Sequence, residues 1–367
     1  MLTGVRILDL SRVLAGPLCT MMLGDMGADV LKIERPDGGD ETRGWGPPFD
    51  ATGESAYYLS VNRNKLSLTL DLDGVEDVAF LRTLAATADV VVENFRPGTL
   101  ERRGLGVATI QQANPSLVWC TISGFGPGSD RPGYDFVVQA ESGWMSITGE
   151  PDGAPMKHGV ALADVLAGKD AAIAILGALV SRATTGVGQR VHVSLEGSAQ
   201  AALVNVAQNA LVSGAPPRRW GNAHANLVPY QLFDAADRAL VIAVGSDAQW
   251  TACARALDLE SLGAEPQLRT NAGRLAARDR VSGEIAARVK TQPVSFWLER
   301  LSREGVPSGI VRSVLEVLAD GEGSALTGMP PSVPGAIRRS PPHLGEHSAL
   351  VRARGWDAFA DDAERPR

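Results

Sequence analysis

Cysteine is scarce in this sequence of 367 residues, and long hydrophobic runs are missing. Cys19, Cys120 and Cys253 are odd in number and far apart. This spacing argues against a disulfide framework and a C-x-x-C metal site, and it fits a reducing cytoplasm. No apolar run reaches about 18 residues, and the chain does not open with a basic region followed by a sustained apolar one. We therefore expect a cytoplasmic protein that is neither secreted nor inserted in a membrane.

Positive charge is also in deficit, since the net charge is −7 at pH 7. Nucleic-acid binding needs a basic face, so this balance argues against a nucleic-acid partner, although a local basic pocket for one small phosphate ligand is compatible with it. His158, His192, His343 and His347 are too scattered in the sequence for a metal site. We expect no metal and no permanently bound cofactor.

Glycine and proline, in contrast, are abundant, with 40 and 22 residues. They predict many turns and shaped loops, where functional sites are usually built. A chain of this length exceeds what a single core usually supports, so we predict two domains. After Trp220 the pattern changes to a hairpin followed by helices up to about Asp320, which indicates a second, smaller domain.

The first part of the chain alternates strand-like and helix-like segments. The predicted strands are residues 5–10, 28–34, 66–72, 89–95, 117–123 and 189–194, and the predicted helices are residues 17–26, 75–86, 135–144, 164–182 and 197–212. This rhythm predicts an α/β fold with a largely parallel sheet and helices on both faces. Ligands of such sheets bind outside the carboxyl ends of the strands.

Loops at those carboxyl ends hold Arg12, Arg35, Arg96 and Arg102. A solvated charged rim is one interpretation. The other is an anionic ligand such as a nucleotide phosphate, with the predicted helix from Pro17 offering its N-terminus as well. Neither a P-loop sequence nor a G-x-G-x-x-G after the first strand is present, which argues against an ordinary nucleotide or dinucleotide site.

Asp164 lies at the start of the predicted helix over residues 164–182. Aspartate is among the preferred N-cap residues, and the local pattern alone favours that role. The same carboxylate in a loop-rich site is also a possible nucleophile.

Several motifs together resemble one known family. They are GVRILDL at residues 4–10, AGP at 15–17, GADVLKIE at 27–34, GDETRGW at 39–45, NRNK at 62–65, VENFRPG at 92–98, SGFG at 123–126, GVGQ at 186–189 and LGEH at 344–347. The sequence resembles the class III CoA-transferases, also called the formyl-CoA transferase/carnitine CoA-transferase or CaiB/BaiF family, over nearly its whole length.

The resemblance implies a large Rossmann-like domain with a parallel sheet, formed by residues 1–215 and completed by residues 330–367. It implies a smaller α+β domain at residues 216–329 and a homodimer of two interlocked rings. The substrates it implies are an acyl-CoA and a carboxylic acid, with coenzyme A lying over the loops of the large domain. Carried over by motif, the expected CoA contacts are Leu14, Ala15, Arg35, Leu70, Asp73, Asn94, Phe95, Arg96, Arg102, Tyr134 and Asp135.

The family's nucleophilic carboxylate maps to Asp164. An aspartate with an unperturbed pKa of about 3.9 is almost fully ionised at pH 7, so we expect it to attack a thioester without a general base. A mixed anhydride and then an aspartyl-CoA thioester would follow. Water must be kept out, because the anhydride would hydrolyse.

Three alternatives remain beside transfer. Racemases of this fold resemble the chain but have a His-Asp pair where Tyr134 and Asp135 stand, and tyrosine is poorly matched to proton abstraction near neutral pH. A CoA-ester hydrolase would use Asp164 in a wetter pocket, and a non-catalytic acyl-CoA-binding protein would not use it. Oxalate is not the expected acceptor, because oxalate enzymes of the family have glutamine where Leu14 stands.

The segment from Trp220 resembles the dicarboxylate-using branch of the family, in which succinyl-CoA is a common donor. We place Asn222 and His224 near the acyl group, with turn residues satisfied by their own loop as the alternative interpretation. Arg218 and Arg219 are candidates to pair with a distal carboxylate, or are merely solvated.

Overall fold

The computed structural model describes residues 1–363, which form two compact units. The first contains Met1–Met145, Lys157–Ala215 and the described residues from Glu322 onward, and the second contains Ser146–Met156 and Pro216–Gly321. The predicted C-terminal segment of the large domain ends with residues 364–367, which lie outside the described residues.

The strands in chain order are β1 (Arg6–Asp9), β2 (Asp29–Glu34), β3 (Lys65–Thr69), β4 (Val90–Glu93), β5 (Val118–Ser123), β6 (Arg190–Ser194), β7 (Tyr230–Asp234), β8 (Ala239–Ala243) and β9 (Ser308–Ile310). The helices are α1 (Ala15–Asp25), α2 (Ala56–Leu59), α3 (Val75–Ala85), α4 (Val107–Ala113), α5 (Asp135–Glu141), α6 (Trp144–Ile147), α7 (Leu162–Thr185), α8 (Leu195–Ala201), α9 (Val204–Ser213), α10 (Asp247–Ala256), α11 (Glu260–Ala264), α12 (Asn271–Ala276), α13 (Arg278–Val289), α14 (Val294–Arg303), α15 (Val314–Ala319), α16 (Ser348–Arg354) and α17 (Ala358–Ala363).

The six predicted strands of the first unit are confirmed and form one parallel sheet in the order β3-β2-β1-β4-β5-β6. Ile7 of β1 pairs with Val30 of β2 on one side and with Val90 of β4 on the other. The chain therefore runs outward from β1 in one direction and from β4 in the other. The loops after β1 and β4 diverge at this switch point, and the crevice between them is the usual ligand position in such sheets.

Helices cover both faces of the sheet, as predicted. Successive strand residues point to opposite faces, so Ile7 and Val30 join a core with α1, α7 and α8, whereas Leu8 and Leu31 join a second core with α3, α16 and α17. Strands buried on both sides explain why segments such as Val90–Glu93 are apolar almost throughout rather than alternating.

Helix α7 is the longest described helix and crosses the sheet face beside α1. It ends at Gly186, which adopts a left-handed conformation with φ of 71°, where glycine has no steric penalty. The predicted single helix over residues 197–212 is wrong, because the chain forms α8 and α9 with a break before Val204, whose φ is 30°. The Ser194 hydroxyl accepts from the Gly197 N–H and starts α8 at Leu195.

The second unit is an antiparallel sheet in the order β7-β8-β9 with helices around it. The predicted hairpin of β7 and β8 is confirmed, with Phe233 opposite Leu240. Strand β9 has only three residues and gave no recognisable sequence pattern. Trp250 and Trp297 are fully buried in the core of this unit.

The C-terminal residues return to the first unit along the β3 edge. The Ala336 N–H donates to the Asp25 carbonyl at 2.9 Å, and the Asn64 side chain donates to the Ala336 carbonyl at 2.9 Å. Further along, the His347 N–H donates to the Ser67 carbonyl of β3 at 3.1 Å. Both ends of the described chain therefore contribute to this unit.

Candidate active site

A cavity of about 350 Å³ lies at the switch point of the parallel sheet. The loops after β1, β4 and β5 and the first turn of α7 line it. Its lining includes Arg12, Val13, Ala15, Asn94, Phe95, Arg96, Ser123, Arg131, Tyr134 and Asp164. Glu41 and Asp130 also line it, so three arginines and three carboxylates share one concave surface, and the arginines are suited to an anionic ligand.

Side chains from other loops hold the backbone of the turn after β1. The Arg12 N–H donates to Asn94 Oδ1 at 3.0 Å, and Asn94 Nδ2 donates back to the Arg12 carbonyl at 2.8 Å. Both Asp9 and Asp40 accept backbone N–H groups of the same turn, from Ser11 and Val13. Asn94, expected to contact coenzyme A, therefore has both ends of its amide engaged with this turn.

Asp164 is not the N-cap of α7. The helix begins at Leu162 after Ala161, which leaves Asp164 at the third helical position. Asp135 Oδ1 instead accepts the Ala163 N–H at 2.8 Å and satisfies one of the unpaired amides at the helix start. The N-cap interpretation of Asp164 is wrong, because a residue from α5 fills that role and the Asp164 carboxylate faces the cavity.

The Asp164 carboxyl group is half-buried at the wall of the cavity. Burial, followed by the neighbouring charge of Asp135, raises its pKa to about 7, and a hydrogen bond from the Ala15 backbone opposes the rise. The expectation of almost complete ionisation at pH 7 is therefore wrong, since only about half of the groups are charged there. The raised pKa of Asp164 could not be predicted from the sequence, because Asp135 lies 29 positions away and approaches Asp164 only in the folded protein.

Tyr57 was not identified from the sequence but lies close to the same carboxylates. Burial and then the charges of Asp164, Asp135 and Asp40 raise the pKa of its hydroxyl to about 12. Its ring packs edge-on against Trp45, with centroids 5.2 Å apart. Tyr57 is thus a neutral hydroxyl-bearing side chain beside Asp164, carried by the four-residue helix α2, whose start is capped by Ser55.

A second cavity of about 220 Å³ lies along the same sheet edge, towards β2 and β3. Arg35, Leu70 and Asp73 line it, as does Arg103. Arg12 and Phe95 line both cavities, with the guanidinium of Arg12 lying 5.2 Å from the centre of the Phe95 ring. An elongated ligand can therefore extend from Asp164 to Arg35 over one continuous set of loops.

Arg103, rather than the predicted Arg102, lines this second cavity. Arg103 forms an ion pair with Asp73 at 2.7 Å, and it donates to the Thr99 carbonyl at 3.0 Å. Arg102 is exposed and lines neither of these two cavities of the described chain. The short 3-10 helix Glu101–Arg103 sets this difference, and a sequence of two adjacent arginines gives no signal of it.

Asn222 and His224 lie in the second unit. Asn222 is exposed, and His224 is held by its own loop. The His224 N–H donates to the Tyr230 carbonyl at 2.9 Å, and His224 Nδ1 accepts the Asn226 N–H at 3.0 Å. These contacts agree with the interpretation of His224 as a turn residue and leave Nε2 as the atom for any ligand.

Arg218 and Arg219 also lie in the second unit and make local contacts. Arg219 donates to the carbonyl groups of Glu150 and Gly153, at 3.0 and 2.7 Å. The Arg218 guanidinium stacks 3.8 Å from the centre of the Trp220 ring. Both arginines are therefore used in shaping the loop that follows α9.

Within residues 1–363, no group of three or more His, Cys, Asp or Glu side chains could hold a metal ion. The described helices include none that is both long and apolar enough to cross a membrane.

Comparisons with known proteins identify the same family that the sequence motifs resemble. A model of CoA-transferase family III matches residues 2–348. The succinate–glutarate CoA-transferase of Agrobacterium fabrum is 40% identical over 96% of this chain and 95% of that protein. Human succinyl-CoA:glutarate CoA-transferase is 40% identical over 95% of this chain and 85% of that protein.

A solved structure supports the same assignment. The crystal structure of a CAIB/BAIF family protein from Brucella suis superposes with a TM-score of 0.84. That protein is 38% identical to this chain, and the match covers 96% of this chain and 98% of the other.

Proposed function

The chain belongs to CoA-transferase family III, and from that premise we propose that it moves coenzyme A from succinyl-CoA to a second dicarboxylic acid, with glutarate as the first candidate. The resemblance found in the sequence is thereby confirmed, as is its classification as a CoA-transferase. The observation that carries the proposal is the position of Asp164, a carboxylate facing a cavity lined by arginines in a relative of succinate- and glutarate-using enzymes.

Asp164 is the proposed nucleophile. Its carboxylate oxygen attacks the thioester carbonyl of succinyl-CoA, the C–S bond breaks, and a mixed anhydride and CoA thiolate form. The thiolate then attacks the Asp164 carbonyl, which releases succinate and leaves an aspartyl-CoA thioester. Attack by the acceptor carboxylate forms a second anhydride, and the returning thiolate takes the new acyl group. Protons are neither consumed nor released, so the exchange needs no separate acid or base.

A dicarboxylic acid can pair with the arginines of the cavity, which also holds Glu41 and Asp130. Arg12, Arg96 and Arg131 line the same cavity as Asp164, and guanidinium groups bind carboxylates in a forked geometry. Arg12 is also near Glu41, at 3.4 Å, and Arg131 pairs with Glu141 at 2.7 Å. We propose that a ligand carboxylate competes for one of these arginines, while the coenzyme extends towards Arg35.

The CoA-contacting residues proposed from the family follow the two cavities. Ala15, Phe95 and Arg96 would lie along the pantetheine, and Arg35, Leu70 and Asp73 would lie around the nucleotide. To these we add Arg103, because it lines the nucleotide-side cavity. Leu14, Asn94 and Asp135 would act chiefly by holding backbone in place. The acyl-pocket roles of Asn222 and His224 remain proposals.

A homodimer is proposed from the exposed apolar surface of the first unit. Helix α9 has no buried residue, and its apolar side chains Leu211 and Val212 are each 77% exposed. On α7, Ile173 and Val180 are also exposed. A ten-residue helix without a fully buried residue is only marginally stable in water, so a second copy of the chain covering this surface accounts for it. Three buried free thiols agree with a cytoplasmic location.

The test of the function is an exchange assay. The purified protein receives succinyl-CoA with glutarate, mesaconate, malonate, acetate or no acid, and new thioesters are identified by mass spectrometry. We expect glutaryl-CoA in an amount equal to the succinyl-CoA lost. Free CoA appearing without an acid would indicate a hydrolase, and unchanged thioesters with deuterium uptake at the α-carbon would indicate a racemase.

Asp164→Asn tests the nucleophile. We expect exchange to fall by more than about 10³-fold while binding of the thioester persists, because the amide keeps the shape and loses the anionic oxygen. Asp170→Asn is the matched control on the same helix, since Asp170 is exposed and accepts only the Ser198 hydroxyl. Retention of exchange by a clean Asp164→Asn preparation would refute the assignment.

A further inference from the structure

Val13 is held in an unfavourable backbone conformation next to the cavity. Its φ is 73°, in the left-handed region that glycine tolerates and β-branched side chains avoid. Such a conformation persists only where surrounding contacts impose it. Val13 lies two residues before Ala15, and both line the cavity that Asp164 faces.

The contacts that impose it come from a buried ion pair. Both carboxylate oxygens of Asp40 lie 3.3 Å from the Val13 nitrogen and accept its N–H. Lys32 Nζ donates to Asp40 Oδ2 at 2.9 Å and to the Ser11 carbonyl at 3.0 Å. The side chains of Lys32 and Asp40 are both completely inaccessible to solvent. The ion pair therefore holds the turn at two groups, the Ser11 carbonyl and the N–H of the strained Val13.

The same turn also packs closely against helix α7. A side chain at Gly168, one helical turn after Asp164, would lie 2.6 Å from the Ala15 carbonyl oxygen. At Gly16 a side chain would overlap Ser11. Missing side chains at both positions let the Ala15 backbone approach the face of α7 that carries Asp164. Ala15 and Asp164 line the same cavity, and the nearby Ala15 backbone acts to lower the pKa of that carboxyl group, against the effects of burial and Asp135.

We propose that the Lys32–Asp40 pair is a positioning device that keeps Val13 left-handed and thereby holds the Ala15 backbone against α7 beside Asp164. This inference rests on the proposed role of Asp164 as the nucleophile. Lys32 and Asp40 touch no substrate in this account and act only through the turn. A buried ion pair that merely stabilised the fold would affect unfolding, but it would not change the titration of Asp164.

The test removes both charges together, because removing one would leave the other buried and unpaired. In the double variant Lys32→Met/Asp40→Asn, we expect kcat for succinyl-CoA and glutarate to fall at least about tenfold. We also expect the midpoint of kcat/KM against pH to rise, since the Ala15 backbone, which lowers the Asp164 pKa, is no longer held beside that carboxyl group. An infrared titration of the Asp164 carboxyl, taken as wild type minus Asp164→Asn, reports the same shift without turnover.

Adding Val13→Gly to the double variant is the decisive experiment. Glycine adopts a positive φ without steric cost, so in the double-variant background it should restore at least half of the lost kcat and return the midpoint towards the wild-type pH. The rescue is measured against Val13→Gly in the otherwise wild-type protein, so that the loss of the valine side chain from the cavity wall is accounted for. Rescue of this kind is not expected if the pair only stabilises the core.

Arg63→Met/Asp25→Asn is the matched control. This second buried pair lies in the same unit with its charged atoms 2.7 Å apart, and its side chains are 3% and 1% exposed. Its removal should lower the melting temperature without moving the Asp164 titration. The proposal is overturned if Lys32→Met/Asp40→Asn folds with wild-type kcat and titration, or if Val13→Gly gives no rescue. Absence of exchange by the wild-type protein would instead refute the proposed function, and the infrared titration would still decide the positioning role.

Discussion

As the proposed nucleophile, the Asp164 carboxyl group must be ionised to attack a thioester, but its surroundings disfavour the charged form. Burial and the Asp135 charge raise its pKa to about 7. A less stabilised carboxylate is a stronger nucleophile once ionised. The same environment therefore lowers the amount of active enzyme at neutral pH and raises the reactivity of what remains.

We expect kcat/KM to fall about tenfold for each pH unit below 7 and to level off above it, because only the deprotonated form of a raised carboxyl group reacts. Asp135→Asn should move this midpoint to lower pH, since it removes the second cause of the rise and keeps an oxygen for the Ala163 N–H. Profiles of kcat/KM against pH for the wild type and Asp135→Asn, from about pH 5 to about pH 9, measure this. An unchanged midpoint in Asp135→Asn would mean that burial alone sets the pKa.

The sequence allowed us to predict which residues belong to the site better than what surrounds each of them. Motif resemblance pointed to Asp164 and to several residues that line the two cavities, among them Phe95 and Arg35, because these positions belong to local sequence motifs. The pKa of Asp164, the nearby Tyr57 and the choice of Arg103 depend on side chains brought together from distant segments. A single sequence carries no local signal for such neighbours.

At the scale of elements, the close approach of α1 and α7 depends on Gly168. In Gly168→Ala the new methyl group would meet the Ala15 carbonyl oxygen at 2.6 Å and push the turn away from Asp164. We expect kcat to fall at least about tenfold, as small displacements of reacting groups have large effects. Activity assays and thermal unfolding measure it.

Gly283→Ala is the matched control for that substitution. Gly283 lies in α13 with no atom within 4 Å of its added methyl group, so alanine should stabilise the helix by up to about 1 kcal/mol and leave activity unchanged. Wild-type kcat in Gly168→Ala would show that the turn tolerates displacement.

The 3-10 helix Glu101–Arg103 gives a second prediction at this scale. Arg103→Ala should raise KM for the CoA thioester several-fold with little change in kcat, because it removes a cation from the nucleotide-side cavity. Arg102→Ala, the substitution suggested by the family motif, is the companion variant. Steady-state kinetics of both decide between them, and a larger effect of Arg102 would place the phosphates on the exposed side of this helix.

The parallel strands were predictable because burial on both faces makes them short apolar runs between turns. The break before Val204 was not predictable, since residues 198–206 contain neither glycine nor proline. The break therefore interrupts a segment whose own propensities favour one helix, and no contact of the exposed Val204 with the described residues explains it. Strand β9 was missed because three residues cannot show a period.

At the scale of the whole molecule, the exposed apolar helix α9 leads to a prediction about assembly. Leu211→Asp/Val212→Asp should shift the protein from dimer to monomer, because two charges in a covered apolar surface are costly. Sedimentation velocity or light scattering measures this. Asn205→Asp in the same helix is the control for added charge at a polar position. A wild-type monomer at micromolar concentration would contradict the proposed homodimer.

The return of the C-terminal residues to the β3 edge has a consequence for biosynthesis. A ribosome delivers all six strands of the parallel sheet long before Ala336 emerges. Until then, Asn64 and the Asp25 carbonyl lack their partners from that segment, and the sheet edge at Ser67 stays uncovered. Helix α7, which carries Asp164, is thus translated early, but contacts that complete its unit come from residues translated well after it.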